Sequence, residues 1–215
     1  MKNRTFRWRQ SAFVLFLLHM AHCGVPGYLG ESATISGQFN DWTQSPGYTL
    51  EARLSNGSLI STAPIDAQGR FSIALPTIPA FDEWSGFGKV GSGEWIPPNC
   101  SGSVEASADT YLPLNIFFVT TNDNMPTGWV SYRNQPAPGV PLINVEFFYI
   151  ASEFRQVGEV DCNFGDRPFH SSYDMTFLPG LNRVVWTSAL FDPNFRVSAN
   201  SGSVPRDVGW VVKVE

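Results

Sequence analysis

The sequence predicts an all-β protein, an antiparallel β-sandwich that consists of two packed sandwich-like units. Charged residues make up only 15% of the 215 residues, against about a quarter in ordinary globular proteins, which disfavours a coiled coil or a helical bundle. The 19 Gly and 16 Pro provide many turns, and the aromatic content of 14% provides large side chains to fill the space between sheets. Apart from one or two helical turns at 151–157, no segment has the 3.6-residue apolar period of a helix.

The first 22 residues have the order of an export signal. A basic stretch without acids precedes an apolar run at 11–18, which has the length of a signal-peptide core and is too short to span a bilayer. We therefore predict a signal peptide at 1–22. Its cations are Lys2, Arg4, Arg7 and Arg9.

Cys23 follows the apolar run at the position where bacterial lipoproteins carry their acylated cysteine. The residues Met20, Ala21 and His22 before it resemble a lipobox, from which His22 departs because a small residue is expected there. Two alternatives follow. Acylation of Cys23, with 23–32 as a tether, would place the protein in the cell envelope, and this is our expectation. Ordinary cleavage near this point would release it outside the cell.

Charge limits the partners of the mature chain. The whole chain has a formal net charge of −5, and removal of the signal peptide takes away four cations and no acid. The remaining acidic chain is repelled by nucleic acids and by anionic lipids. We therefore expect no nucleic acid partner, membrane attachment through the lipid anchor only, and an envelope polysaccharide or a protein as candidate partner.

The three cysteines suit an oxidising compartment. With Cys23 assigned to the lipid, Cys100 and Cys162 remain as an even pair, and we predict a disulfide between them. A metal or thiol site is the weaker alternative, since the mature chain has no C-x-x-C and one histidine, His170. The run at 161–166 lacks the later glutamate of a calcium loop and is expected to be a turn. We predict no metal and no cofactor.

Residues 33–76 predict an N-terminal β-sandwich module. Alternating apolar residues indicate strands at 33–39, 48–54, 58–63 and 70–75, and Asn56-Gly57 between the second and third is a strong hairpin signal. The run from Asp66 to Phe71 predicts a turn that the Asp caps, in which Gly69 takes a positive φ and Phe71 enters the core.

This module resembles the β-sandwich modules of the transthyretin-like and carboxypeptidase-regulatory type, which share the D-x-x-G-x-F turn. The resemblance implies a structural or adhesive role without catalytic residues. The order of the whole chain also resembles secreted lipoproteins of Deinococcus-type bacteria, through the cysteine-opened segment at 100–104 and the strand at 178–185. That resemblance implies no particular activity.

Two further regions complete the predicted organisation. Residues 77–99 are rich in Gly, Pro and aromatic residues and predict a long loop, which either carries function or folds back over the sandwich edge. Residues 100–215 predict a C-terminal β domain with a loop at 192–206. Its expected strands are 103–106, 111–120, 128–132, 144–150, 158–164, 172–177, 181–187 and 209–214.

The sequence offers weak support for catalysis, and we predict that the protein is not an enzyme. His170 has Ser171, Ser172 and Asp174 as sequence neighbours, but the G-x-S-x-G elbow of a serine hydrolase is missing. A glycoside-acting enzyme is the least favoured function. It would need a carboxylate pair such as Glu83 and Glu94 to converge in a cleft.

Binding is the better supported chemistry. Trp42, Trp84, Trp95 and Trp129 lie in or beside polar, turn-rich sequence, where exposed rings can stack on sugars or anchor a protein. Trp186 and Trp210 lie in apolar strands and are expected in the core. We predict a non-enzymatic, exported and lipid-anchored envelope protein that acts as a structural or interaction module. The alternative is a carbohydrate-binding module that uses Trp42, Trp84 and Trp95.

Overall fold

The structure is a computed structural model, and it describes residues 25–44, 47–78, 89–90, 93–95, 99–107, 110–111, 114–123, 125–164, 167–191 and 194–214. The regular structure in these ranges is entirely β, which confirms the predicted all-β class. None of the described residues belongs to a helix long and apolar enough to cross a membrane. The predicted signal peptide, Cys23 and Trp84 lie outside the described residues.

Seventeen strands are found in the described part of the chain. They are β1 (Tyr28–Gly30), β2 (Ala33–Gln38), β3 (Tyr48–Leu54), β4 (Leu59–Pro64), β5 (Arg70–Leu75), β6 (Lys89–Val90), β7 (Gly93–Trp95), β8 (Cys100–Ala106), β9 (Thr110–Tyr111), β10 (Leu114–Asn122), β11 (Met125–Arg133), β12 (Leu142–Ile150), β13 (Phe154–Phe164), β14 (Arg167–Phe177), β15 (Gly180–Phe191), β16 (Asn194–Asn200) and β17 (Gly209–Val214).

Thirteen strands form one large sheet, in which all pairs are antiparallel except β14 with β16. Its order is β4-β3-β10-β11-β12-β15-β16-β14-β13-β8-β7, with β17 on β11 and β1 on β15. β2 and β5 form a small second sheet, which lies beside β4 and is joined to β17 by a bridge between Phe39 and Trp210. The arrangement is sandwich-like, as predicted.

The N-terminal strands form where alternation and turn chemistry predict them. Every second residue of β3 packs into the core, and so does every second residue of β5. The hairpin between β3 and β4 turns at Gly57, which has φ +87° and donates its N–H to the Leu54 carbonyl at 2.7 Å. Asn56 accepts the Ser58 N–H at 2.9 Å, which completes the predicted turn.

The turn before β5 has the predicted construction. Asp66 Oδ1 accepts the backbone N–H groups of Gln68 and Arg70, both at 2.9 Å. These hydrogen bonds, with the Arg70 N–H as the largest contribution, lower the pKa of the Asp66 carboxyl. Gly69 has φ +76°, and Phe71, two residues later, is buried.

The first core joins both halves of the chain. β3 pairs with β10, and buried side chains of β3 and β5 pack in one cluster with those of β10, β12, β15 and β17. Tyr149 of β12 donates its hydroxyl hydrogen to the Pro76 carbonyl, directly after β5. The strands predicted as an N-terminal module at 33–76 and those of the C-terminal region at 100–215 therefore share one hydrophobic core.

A second core lies on the opposite face of β12 and β15. It contains Ile150, Phe154, Met175, Phe177, Val184 and Ala199. Beyond it, Val104, Val160 and Cys162 form a smaller cluster between β8 and β13. β12 and β15 thus contribute one face to each of the two larger cores.

The predicted disulfide between Cys100 and Cys162 is confirmed. The two residues face each other across the β8–β13 pair, with their Cα atoms 4.0 Å apart. The bond fastens β8 to the hairpin of β13 and β14, which is the part of the sheet farthest from the first core.

Strands occur in four stretches for which no strand was predicted. β1 lies within the predicted tether at 23–32, where it pairs with β15, and Arg183 donates its N–H to the Gly27 carbonyl at 2.8 Å. The expected helical turns at 151–157 are largely strand, because β13 begins at Phe154 and pairs with β14 from there. The predicted loop at 192–206 contains β16, whose backbone pairs on both sides. The predicted loop at 77–99 contains the short strands β6 and β7.

Candidate binding surfaces

An aromatic ring stands on the outer face of the large sheet. Trp129 of β11 is 51% exposed, and its ring centroid lies 5.5 Å from that of Phe117 on β10. The neighbouring strands place Arg53 opposite Phe117 and Lys213 opposite Trp129. Strand alternation brings these residues to the face opposite the first core, because Val130 and Tyr132 pack into that core.

An ion pair borders these rings. Arg53 binds the buried Glu51 carboxylate through Nε and Nη2, both at 2.8 Å, and donates Nη1–H to the Gly57 carbonyl at 2.9 Å. The guanidinium group is thus held in place beside Phe117. We refer to Glu51, Arg53, Phe117, Trp129 and Lys213 as the aromatic surface. An indole face next to fixed hydrogen-bonding groups can stack on a sugar ring or anchor a protein side chain.

Among the predicted ligand-binding tryptophans, Trp42 is the one whose side chain the structure describes. Trp42 is partly buried, stacks on Phe39 with centroids 5.2 Å apart and meets Tyr48 edge-on. A Cβ at Gly69 would come within 2.6 Å of Trp42 Cβ, so the turn closes tightly over this side chain. The Trp42 ring is therefore packed on at least one face, and its role in ligand binding stays a prediction. Trp95 lies in β7 opposite Val104, and Trp84 lies outside the described residues.

The two tryptophans predicted to be core residues pack as expected. Trp210 is buried in the first core, and Trp186 is partly buried against the second core. Trp129, in contrast, has half of its side chain open to solvent. Its outward position follows from the alternation of β11, in which Val130 and Tyr132 take the core side.

A shallow groove of about 420 Å³ crosses β13, β14 and β16. Strand alternation brings six of its lining side chains to one face, and these are Val157, Glu159, Ser172, Asp174, Ser198 and Asn200. We call this feature the polar groove. The backbone of Gly158 and Ala199 contributes to its lining, together with Tyr173.

Two ion pairs flank the polar groove. At one end Arg155 Nη2 lies 3.3 Å from Asp174 Oδ1, and at the other His170 Nδ1 lies 2.8 Å from Asp161 Oδ1. His170 therefore pairs with Asp161 rather than with Asp174, and the buried Ser171 faces the other side of β14. This geometry does not assemble His170 with its sequence neighbours into a nucleophilic triad.

The predicted carboxylate and metal candidates can be placed only in part. Glu94 lies in β7 opposite Glu105, and Glu83 lies outside the described residues. Asp161, Cys162 and Asn163 belong to β13, so this part of the run at 161–166 is strand and not loop. No group of three or more His, Cys, Asp or Glu side chains that could hold a metal ion occurs in the described ranges.

Glu146 provides a pH-dependent contribution to stability. Burial raises the pKa of its carboxyl above the usual value of 4.5, while the nearby Trp186 indole and a hydrogen bond from Asn144, whose Nδ2 lies 3.1 Å from Oε1, act in the opposite direction. A raised folded-state pKa means that the folded protein binds this proton more tightly than the unfolded chain. The contribution of Glu146 is therefore complete below pH 4.5 and decreases as the pH rises through the folded-state pKa.

We predict that Glu146→Gln raises the melting temperature at about pH 7 and leaves it nearly unchanged at about pH 3.5, where the wild-type carboxyl is protonated in both states. Thermal melts at the two pH values measure the difference. Glu153→Gln is the control, because it makes the same replacement at an exposed glutamate. A Glu146→Gln variant that is less stable than wild type at neutral pH would contradict the assignment.

Comparison with known proteins gives no match to a family model, to a curated protein or to a solved structure. The resemblances to transthyretin-like modules and to Deinococcus-type lipoproteins therefore stay predictions.

Proposed function

We propose that the protein is a non-enzymatic, exported envelope module, anchored through an acylated Cys23, that acts as a structural or interaction protein. The observation that carries this proposal is the disulfide between Cys100 and Cys162 within the folded body. Such bonds form in oxidising compartments, and this one leaves Cys23 as the remaining cysteine of three, at the end of a signal-like run.

Partitioning between detergent and water tests the anchor. The full chain, produced in a bacterial host that acylates lipoproteins, should enter the detergent phase, and Cys23→Ser should stay in the aqueous phase. Mass spectrometry of the N-terminal peptide should reveal the acyl chains on Cys23. If wild type and Cys23→Ser both stay in the aqueous phase while the signal peptide is removed, the protein is secreted without an anchor.

Carbohydrate binding is a second candidate function, and the exposed ring of Trp129 favours it. The alternative predicted from the sequence used other tryptophans, of which Trp42 is packed against the first core. The aromatic surface combines a ring face with the fixed guanidinium of Arg53 and the ammonium of Lys213. Neutral polysaccharides present both apolar ring faces and hydroxyls, which match this combination.

We predict that Trp129→Ala weakens retention on a polysaccharide at least about tenfold, because truncation of a central aromatic side chain at an interface commonly costs about 2 kcal/mol. Affinity electrophoresis through gels with laminarin, xylan, hydroxyethylcellulose or starch measures it. Val140→Ala is the control, since Val140 is similarly exposed at 52% and lies outside the aromatic surface. Unchanged migration of wild type in all four gels would exclude this candidate function for these polymers.

A further inference from the structure

The polar groove contains polar groups that the fold does not use. Among the described residues, the side chains of Glu159, Ser172 and Ser198 have no hydrogen bond or ion pair with another described residue, although both serines are partly buried. Hydroxyls that stabilise a sheet edge or turn normally bond to a nearby backbone group. These two instead line a cavity, where they are available to a ligand.

The remaining polar groups are oriented by their neighbours. Asn200 Oδ1 accepts the Gly202 N–H at 2.8 Å, so the amide of Asn200 has its Nδ2 donors left for the groove. Asp174 Oδ1 lies 3.3 Å from Arg155 Nη2, and this exposed ion pair partly offsets the charge of the carboxylate. The groove therefore offers hydroxyls, amide donors and carboxylate acceptors in neighbouring positions on three strands.

Size and charge narrow the class of ligand. A volume of about 420 Å³ lies in the range of small-molecule sites, and the lining of the groove includes the small residues Gly158, Ser172 and Ser198. The carboxylates of Glu159 and Asp174 disfavour an anionic ligand. Alternating donors and acceptors match vicinal hydroxyls, each of which both donates and accepts.

We propose that the polar groove is a binding site for a neutral oligosaccharide, whose hydroxyls form hydrogen bonds with Glu159, Ser172, Asp174, Ser198 and Asn200. The ligand lies over Val157 and along the strands. Arg155 and Asp161 lie six residues apart on β13, which is about 20 Å along the strand. A short linear oligosaccharide therefore has room between the two ion pairs. The proposal depends neither on export nor on the aromatic surface.

Saturation-transfer NMR and calorimetry with maltotriose, cellotriose and N,N′,N″-triacetylchitotriose test the proposal on the mature chain. At least one trisaccharide should bind wild type. The double variant Ser172→Ala/Ser198→Ala should weaken that binding about tenfold, because two ligand hydrogen bonds are lost. Ser198→Tyr should abolish it by filling the groove. Thermal melts establish that both variants are folded.

Two control variants distinguish binding in the groove from binding elsewhere on the protein. Ser61→Ala removes a partly buried strand hydroxyl from β4 and should leave binding unchanged. Trp129→Ala reports binding at the aromatic surface and is measured beside the groove variants. The proposal is overturned if no trisaccharide binds wild type, or if binding survives in both folded groove variants. Loss in Trp129→Ala alone would assign the sugar to the aromatic surface and equally overturn it.

Discussion

Replacing both Cys100 and Cys162 by alanine should lower the free energy of unfolding by about 4 kcal/mol, one of the two largest effects expected in this protein. The disulfide closes a loop of 62 residues, so that its loss gives the unfolded chain much more conformational freedom. Alanine is the better replacement, because a serine at the buried Cys162 would add an unpaired hydroxyl.

Urea unfolding of the double variant and of wild type, each with and without reductant, measures this contribution. Reductant should shift the midpoint of wild type toward that of the double variant and should not move the variant itself. Cys23→Ser should unfold like wild type, because Cys23 is not part of the bond. If the unfolding free energies of wild type and the double variant differ by less than about 1 kcal/mol, packing rather than chain entropy holds β8 on β13.

The second large effect is expected for Trp210→Ala, at about 3–5 kcal/mol, as is typical for truncation of a buried aromatic side chain. The Trp210 ring lies 4.6 Å from Tyr132, 5.1 Å from Phe71 and 5.4 Å from Phe118, measured between centroids. Its edge also touches Gly37, where a Cβ would come within 2.4 Å of the indole. Removal of the ring therefore leaves a cavity where the two sheets meet.

Trp129→Ala is the matched control for this variant. It removes the same side chain from an exposed position, so its effect on stability should be within about 0.5 kcal/mol of zero. Chemical unfolding of the two variants should be monitored by circular dichroism, because each variant lacks one tryptophan and its fluorescence is not comparable with that of wild type. If Trp129→Ala and Trp210→Ala lose similar amounts of unfolding free energy, the placement of Trp210 as the central residue of the first core is contradicted.

Local chemistry explains why parts of the fold were predictable. The bounds of β3, β5 and β17 follow from alternation alone, and the turn at Asp66 follows from an Asp cap and a Gly in the left-handed region. The disulfide followed from cysteine counting. For the strands and the turn, the signal lies within a few neighbouring residues. For the disulfide, only Cys100 and Cys162 remained to pair once Cys23 was assigned to the lipid.

The features that escaped prediction depend on distant partners. β16 has a polar sequence with a short apolar alternation at Phe195 and Val197, and it becomes a strand because β14 and β15 satisfy its backbone on both sides. Trp42 lies in polar sequence, yet Phe39 and Tyr48 enclose it. The polar groove needs β13, β14 and β16 side by side, which no local pattern specifies.

The position of Trp210 also determines when the protein can fold. A ribosome or a translocation channel delivers the chain from its N-terminus, so β2 to β5 emerge long before β17. Their apolar faces cannot be fully covered until Trp210 arrives to fill the space between them. The early chain should therefore remain open and dependent on holding factors. That delay is compatible with transport of an unfolded chain, after which closure of the first core and oxidation of the cysteines fix the native state.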